Sequence, residues 1–230
     1  MKITALADPS AGRRTTLTRD RVLAAGVRLA DLDGIDSVSM RRLAQELGIE
    51  AMSLYTHVRN KGDLLDGMVD TVIGEIPIGP GDGDWKSSLR RTVLGARMVI
   101  LRHPWAPRVI ETRTAPGPAV PRYFNAVIGM LRRGGFSIEQ THHALHILGS
   151  RLLGFTQDLF DDSGDLDPQA AAALAGELGE RLPYVAEMAL AVTHEGRLGG
   201  CDDDVEFEIG LDLILDGLER LREGDAAPTR

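Results

Sequence analysis

The sequence has a single cysteine, few aromatic residues and no long apolar segment, and each of these shortages excludes a class of protein. Cys201 alone cannot build a framework of intramolecular disulfides, so we expect a protein of the reducing cytoplasm. No apolar run approaches the roughly 18 residues of a membrane-spanning helix, and the N-terminal stretch MKITALADPS is too weakly apolar for a secretory signal. Runs that alternate apolar and polar residues are also missing, which predicts an all-α fold.

Motifs of catalysis and of metal binding are missing as well. The chain has no G-x-S-x-G, P-loop or G-x-G-x-x-G motif, and the aspartates that follow Cys201 disfavour a reactive thiolate. Glu139 and His142 have the spacing of a di-iron ligand pair, but there is no second pair of this kind. His142 and His146 share a helix face beside His143, yet two imidazoles alone make a poor metal site. We therefore expect no enzyme, no metal and no cofactor.

The net charge of −8 at pH 7 argues against nucleic acid until its distribution is considered. From Met1 to Gly62 the sequence has 10 lysines and arginines against 7 aspartates and glutamates, whereas the remainder has 16 against 27. The first portion is therefore weakly basic, at +3, and the rest is acidic, at −11. This distribution predicts that only the N-terminal portion meets phosphate, while the acidic body is repelled by it.

Apolar spacing and capping residues predict helices along nearly the whole chain. In the first portion they cover Arg19–Leu32, Met40–Leu47, Ala51–Val58 and a fourth segment that begins near Asn60 and ends at Ile76. The segment PIGPGDGD is rich in Pro and Gly and marks a boundary. We predict a DNA-binding domain over residues 18–76, a linker over 77–84 and a larger helical domain over 85–222.

In the second portion, Ser137 and Gln140 form a capping box that begins one of several further helices. The predicted ranges are Trp85–His103, a less regular Trp105–Thr114, Pro121–Arg133, Ile138–Phe160, Pro168–Leu182 and Asp204–Arg222. Residues 1–17 and 223–230 lack periodicity and are expected to be a disordered arm and tail. The pair Arg13-Arg14 leaves open a second interpretation, in which the arm reaches DNA.

The stretch Ser37–Lys61 has the spacing of a helix-turn-helix. Ala44 is small, Gly48 follows four residues later and Leu54 comes six residues after that, which indicates two short helices around a tight turn. The second helix is expected to enter the major groove of DNA. The residues expected to contact DNA are Ser39, Arg41, Ala51, Met52, Ser53, Tyr55, Thr56, His57 and Lys61.

These residues are expected to divide between base readout and phosphate contact. The first turn of the second helix, Ala51–Ser53, faces base edges in such an arrangement, and Arg41 suits either guanine or a phosphate. Tyr55, His57 and Lys61 are better placed for phosphates, although Tyr55 is alternatively a core aromatic with its hydroxyl at the rim. Arg42 is expected on a solvated face.

The segment GIDSVSMRRLAQELGIEAMSLYTHVRNKGDLLD resembles the DNA-binding domain of the TetR family of transcriptional repressors. The phrase LYxHVxNKxxLLD is its most specific part, and weaker similarity runs through DWKSSLRR, Thr112-Arg113, RRGGFSIE and FEIGLDLILDGLE. The resemblance implies a homodimer in which Ile138–Phe160 and Asp204–Arg222 of both subunits form a four-helix bundle. It also implies a palindromic operator, and a ligand pocket in each core whose occupation by a small-molecule inducer releases the DNA.

Two departures from the tetracycline-binding members of this family bear on specificity. Those members have Gln-Pro-Thr where this chain has Ala51-Met52-Ser53, so the loss of a bidentate amide predicts a different operator. Both of their drug-binding histidines are absent here, so magnesium–tetracycline is not the expected inducer.

The sequence therefore leaves the effector open. Candidate ligand contacts on the helices that would line the pocket are Trp105, Arg113, Tyr123, Met130, His142, His146 and Arg151. The alternative function is a helical module that binds a ligand or a protein but no operator. The intact set of Arg41, Tyr55, His57 and Lys61 argues against this alternative.

Overall fold

The computed structural model describes residues 16–79, 83–113, 117–153 and 203–224, together with residues 176, 179, 181–184, 186–187, 193–194 and 197–198. By their contacts the residues form two compact units. The first unit comprises Met1–Ile76 and Met98–Phe124, and the second comprises Pro77–Arg97 and Asn125–Arg230. The predicted arm, the predicted tail and the helical segments predicted at 154–160 and 168–182 lie largely outside the described residues.

The N-terminal helices are built around a fully buried apolar core. They are α1 (Arg19–Asp33), a 3₁₀ turn (Ile35–Ser37), α2 (Met40–Leu47), α3 (Ala51–Leu54) and α4 (Lys61–Gly74). Val22, Leu43, Leu54, Leu64 and Met68 contribute side chains with no exposed surface. Burial of apolar surface on this scale is the main force that holds short helices together.

The third helix is shorter than predicted. It was expected over Ala51–Val58, but α3 ends at Leu54, and the next residues form a turn in which the N–H groups of His57 and Val58 both donate to the Leu54 carbonyl, at 2.9 Å each. Leu54 and Val58 are nonetheless both buried, which is why apolar spacing alone extends the helix. The turn therefore keeps the helical spacing of the buried residues but lacks the continuous series of helical hydrogen bonds.

The remaining long helices are α5 (Trp85–Arg102), α7 (Ala119–Arg133), α8 (Ile138–Leu153) and α9 (Asp203–Gly224), with the short α6 (Ala106–Thr112) after α5. The predicted capping box is confirmed, because the Ser137 N–H donates to Gln140 Oε1 at 2.8 Å and the Gln140 N–H donates to Ser137 Oγ at 3.1 Å. The preceding Gly135 has φ of 90°, a left-handed conformation that favours glycine.

Three further expectations need correction. The piece predicted over Trp105–Thr114 contains a regular helix, Ala106–Thr112, since Pro107 suits the first turn, where no N–H partner is required. Helix α7 begins at Ala119 rather than at Pro121, and Asp70 accepts a hydrogen bond from its first N–H at 2.6 Å. A two-stranded antiparallel hairpin, Thr193–His194 with Arg197–Leu198, was not predicted. Among the described helices, none is both long enough and apolar enough to cross a membrane.

Candidate nucleic-acid interface and effector residues

Local geometry fixes the angle between α2 and α3. The Ser39 hydroxyl accepts the Arg42 N–H at 3.2 Å, which caps the start of α2. Gly48 ends α2 with φ of 64°, and its N–H donates to carbonyls of the last turn. A side chain at this left-handed position would be strained, so Gly48 allows the sharp reversal. Leu43 and Ala44 then pack inward from α2.

The tip of α3 is exposed. Met52 has 74% of its surface exposed and Tyr55 has 46%, while Ser53 and Thr56 are also exposed and Ala51 is half-buried. The Thr56 hydroxyl donates to the Ser53 carbonyl at 2.7 Å, so it retains only acceptor capacity toward another molecule. Tyr55 is therefore a surface aromatic rather than the core residue of the alternative interpretation.

Cations around this tip differ in whether they are already bound. Arg41 and Lys61 are exposed and have no hydrogen bond or ion pair within the described part of the chain. Arg42, by contrast, forms an ion pair with Asp33 at the end of α1. His57, between Tyr55 and Lys61 in the sequence, is half-buried. Its carbonyl accepts a hydrogen bond from the Arg19 guanidinium at 2.7 Å. Arg41 and Lys61 are thus exposed cations without a partner in the described part of the chain.

Acidic residues of the first unit are largely occupied by donors of the same unit. Asp31 Oδ1 lies 2.7 Å from Trp105 Nε1 and 2.8 Å from His103 Nδ1. Asp66 pairs with Arg113. These contacts occupy carboxylate oxygens of Asp31 and Asp66 with donors of the same unit.

The predicted effector contacts divide between the two units. Trp105, Arg113 and Tyr123 belong to the first unit. The indole of Trp105 is 5% exposed, and Arg113 donates to Asp66 Oδ2 at 2.8 Å and to the Gly62 carbonyl at 3.2 Å. Burial raises the pKa of the Tyr123 hydroxyl to about 12. Trp105 and Arg113 are therefore committed to contacts with the N-terminal helices.

The other four predicted contacts lie in the second unit. Met130 is buried, with Sδ 3.7 Å from the Thr92 hydroxyl. His142 and His146 are both exposed on α8, and their ring centroids are 4.6 Å apart. The Arg151 guanidinium carbon lies 4.9 Å from the centre of the Phe207 ring, and its Nε is buried without a hydrogen-bond partner among the described residues. No group of three or more metal-ligating side chains occurs in the described ranges.

Each unit contains a cavity among its described residues. One in the first unit measures about 170 Å³ and is lined by Asp66, Val69, Ile110, Arg113 and Val120. Another in the second unit measures about 320 Å³, and its lining includes Trp85, Met130 and Arg222. The cavities bring Arg113 and Met130 to open space, but neither cavity gathers the predicted effector contacts together.

Family profiles match both portions of the chain. A profile described as "Bacterial regulatory proteins, tetR family" matches residues 22–68, and one described as "Tetracyclin repressor-like, C-terminal domain" matches residues 76–222. The chain belongs to the TetR family. The first profile spans the helix-turn-helix, so this TetR-family protein is a DNA-binding regulator of transcription.

Individual relatives of this TetR-family chain include named repressors. The "HTH-type transcriptional repressor DrrR1" of Streptomyces coeruleorubidus is 34% identical over 231 residues, covering 96% of this chain and 85% of that protein. The class A tetracycline repressor of Escherichia coli is 30% identical, covering 90% of this chain and 93% of that protein. The expected all-α fold with an N-terminal helix-turn-helix is confirmed.

Solved structures of the family agree with the fold. Apo ActR from Streptomyces coelicolor is similar with a TM-score of 0.75 at 29% identity, over 94% of this chain and 100% of that chain. ActR in complex with actinorhodin is similar with a TM-score of 0.69 at 28% identity, over 90% and 99% of the two chains.

Sequence reasoning missed the residues that hold the DNA-binding helices to the rest of the first unit. Asp31, Asp66 and Asp70 each accept hydrogen bonds from residues 47 to 74 positions away. No local spacing relates partners that far apart, so the sequence pattern alone could not pair them.

Proposed function

We propose that the protein is a repressor that binds a palindromic operator as a homodimer and leaves it when a small-molecule effector binds. The observation that carries the DNA part is the exposed, unpaired state of Arg41 and Lys61 among the described residues, beside a 74%-exposed Met52. Cations on a capped helix-turn-helix suit phosphate oxygens, and an exposed helix tip suits the major groove.

Operator specificity follows from the tip of α3. Met52 offers only apolar contact, such as with a thymine methyl group, while Ser53 can donate or accept a hydrogen bond. Arg41 has the fork geometry for guanine O6 and N7 or for a phosphate. An operator for this chain is therefore expected to differ from that of the tetracycline repressors.

Support for the homodimer comes from apolar side chains left exposed on neighbouring helices of the second unit. Val205, Ile209 and Leu213 follow one another at four-residue spacing on α9 and are 51%, 50% and 65% exposed. Ile138 and Ile147 on α8 are 69% and 43% exposed. A stripe of this kind favours coverage by a second copy, and two copies supply the two reading heads that a palindrome requires.

Support for a small-molecule effector comes from a relative and from Arg113. ActR has been solved with actinorhodin bound. In this chain Arg113 joins the end of α6 to α4 through Asp66 and the Gly62 carbonyl. An effector that draws Arg113 away from Asp66 would release this restraint on α4, and a coupling of about 1–3 kcal/mol suffices to change operator affinity 5- to 150-fold.

The test begins with selection of duplexes from a random library by the purified protein. We expect an enriched inverted repeat, and weaker binding of that duplex by Tyr55→Ala and by Lys61→Ala with the dimer intact. Arg28→Ala removes a similarly exposed cation from α1 and is the matched control. Failure to enrich any repeat, or undiminished binding by both variants, would contradict the proposal.

Effector binding has a separate test. The protein is screened against small molecules by thermal unfolding, because a ligand at 100 times its Kd adds about 2.7 kcal/mol to the stability. A molecule that raises the melting temperature should also release the selected duplex. If molecules stabilise the protein but none releases the duplex, the effector part of the proposal is wrong.

A further inference from the structure

An arginine at the start of α1 reaches the turn between α3 and α4. Arg19 Nη1 donates to the His57 carbonyl at 2.7 Å, and Arg19 Nη2 lies 2.9 Å from Asp63 Oδ1. A further contact of 3.3 Å joins Nη1 to Asp63 Oδ2. The Arg19 guanidinium thus binds the His57 carbonyl in the turn. Its two terminal nitrogens also bind the carboxylate of Asp63, which follows the turn.

Asp63 holds the same turn from the other side. Its Oδ2 accepts the backbone N–H of Arg59 at 2.8 Å, and its own N–H donates to Asn60 Oδ1 at 2.9 Å. The side chain is 13% exposed. Hydrogen bonds from Arg19 and from the Arg59 N–H lower the pKa of Asp63 to about 2, so it is ionised throughout the neutral range.

The packing beneath Arg19 is tight. A Cβ atom at Gly67 on α4 would lie 3.2 Å from Arg19 Nη2 and 2.6 Å from Leu23 Cδ2. Glycine at this position therefore lets α1 approach α4 closely enough for Arg19 to reach the turn. The arginine is held by packing as well as by its hydrogen bonds.

The turn restrained by these contacts contains His57 and Lys61, which are expected to contact phosphate under the proposed function. The backbone groups of His57 and Arg59 are bound by Arg19 and Asp63, and Lys61 is the first residue of α4. The Arg59 side chain is 86% exposed, and its Nε lies 3.6 Å from Asp63 Oδ2. The side chains of Arg19 and Asp63 contact backbone groups of this turn.

We propose that Arg19 and Asp63 form a clamp that positions the His57–Lys61 turn for DNA phosphates. The clamp residues act through the turn and make no contact with DNA, so they are positioning residues for operator binding. The inference rests on the proposed DNA-binding function. It adds a requirement for operator binding beyond the exposed contact residues, namely an intact ion pair between Arg19 and Asp63.

The clamp is separable from the fold. The core of this region is apolar, with Leu43, Leu54 and Leu64 fully buried, and an ion pair with Arg19 42% exposed adds little to stability by comparison. Loss of the clamp should therefore loosen the turn while the helices remain folded. Melting temperatures of the variants check this directly.

Asp63→Asn gives the sharpest test, because positioning and simple electrostatics predict opposite signs. Removal of a negative charge beside a phosphate-contacting turn should by itself strengthen DNA binding. Loss of the clamp should instead weaken binding of the selected duplex by about 10- to 100-fold, the range expected when charge-assisted hydrogen bonds that position a binding group are removed. Asp20→Asn, which makes the same charge change at an exposed site on α1, is the control.

Arg19→Gln and Arg19→Lys complete the design. Arg19→Gln should weaken binding more than Arg28→Gln, which removes the same charge from the same helix, and Arg19→Lys should restore only part of the affinity because it lacks the fork. The slope of log Kd against log salt concentration should fall by about 0.9 for each phosphate that the variant no longer binds. The double variant Arg19→Gln/Asp63→Asn should bind no worse than the weaker single variant.

The outcomes separate the clamp from the function on which it rests. If the unaltered protein enriches no duplex, the DNA-binding function itself fails, and the clamp fails with it. If the unaltered protein binds but Asp63→Asn binds equally well or more tightly, the clamp alone is overturned. Equal losses in Arg19→Gln and Arg28→Gln would likewise assign the effect to general charge. A lowered melting temperature with unchanged affinity would reduce Arg19 and Asp63 to a role in stability.

Discussion

At the scale of single residues, one carboxylate oxygen connects α1 to the short segment between α5 and α6. Asp31 Oδ1, near the end of α1, accepts hydrogen bonds from Trp105 Nε1 at 2.7 Å and His103 Nδ1 at 2.8 Å. His103 and Trp105 are 7% and 5% exposed, so these donors have little access to water. An unmatched polar group at such a depth costs more than its hydrogen bond contributes.

Trp105→Phe tests this connection. Phenylalanine keeps an aromatic ring but is smaller and lacks the N–H that donates to Asp31, so we expect the free energy of unfolding to fall by about 1.5–3 kcal/mol more than the smaller ring alone costs, the range for a hydrogen bond to a charged group. Urea denaturation followed by circular dichroism measures it. Trp85→Phe is the control, because the Trp85 N–H has no partner among the described residues and its ring is similarly buried. Equal losses in both variants would assign the effect to ring size.

Asp63 gives a prediction about acid. Its pKa is lowered from 3.8 to about 2 in the folded protein, so its hydrogen bonds stabilise the fold above the unfolded-state pKa and are lost as the pH falls through the folded-state pKa. The stability difference between the unaltered protein and Asp63→Asn should therefore be constant above about pH 5, fall as the pH is lowered, and vanish only below the folded-state pKa of about 2. Denaturation at a series of pH values measures it. A difference that persists undiminished at the lowest pH would contradict the lowered pKa.

Some residues of the candidate site were predictable from local pattern and others were not. Leu43, Ala44 and Leu54 fall on the apolar face of short amphipathic helices, so the exposure of Arg41 and Met52 on the other face followed from periodicity. The partners of Arg113 did not follow, because Asp66 is 47 residues away in sequence. The choice between effector contact and ion pair for Arg113 depends on the tertiary fold.

At the scale of elements, α5 and α9 are joined by a ladder of ion pairs within the second unit. Lys86 contacts Asp216 and Glu219, at 2.6 and 2.7 Å, and Arg90 contacts Glu208 and Asp212, each at 2.7 Å. The hydrogen bonds that Arg90 donates to Asp212 and Glu208 raise the pKa of Arg90 above its usual range. The four-residue spacing of acids on α9 is visible in the sequence, but the helix that faces them is more than 100 residues away.

Arg90→Met is expected to lower the free energy of unfolding by about 1 kcal/mol, since each pair is partly exposed and screened by solvent. Methionine keeps the apolar stem of the side chain, so the loss reports mainly on charge. Because salt screens such pairs, the difference from the unaltered protein should shrink in 1 M salt, where the Debye length is about 3 Å. Arg91→Met is the matched control on the same helix, with only a 3.5 Å contact to the Ser88 hydroxyl. A loss that is unchanged at high salt would argue for packing instead.

At the scale of the whole molecule, the chain's charge and its exposed apolar stripe point to different partners. The first 62 residues carry +3 and the rest −11, so DNA is drawn to one end only. The apolar side chains of α8 and α9 lie within the acidic part, where an approaching subunit of the same charge meets repulsion. Dimerisation is then expected to depend on burial of apolar surface, because the favourable free energy increases with the apolar area removed from water.

Ile209→Glu/Leu213→Glu tests this dependence. Both residues are at least half exposed on α9, so glutamate is tolerated in a monomer, but two buried carboxylates in each subunit of a dimer would be unpaired and costly. We expect a monomer by light scattering, with helix content preserved and binding of the inverted repeat lost, while a duplex with one half-site is bound as weakly as by the unaltered protein. Met98→Glu, at a residue 67% exposed on α5, is the control and should leave the dimer intact. A double variant that remains dimeric would place the subunit interface elsewhere than on this stripe.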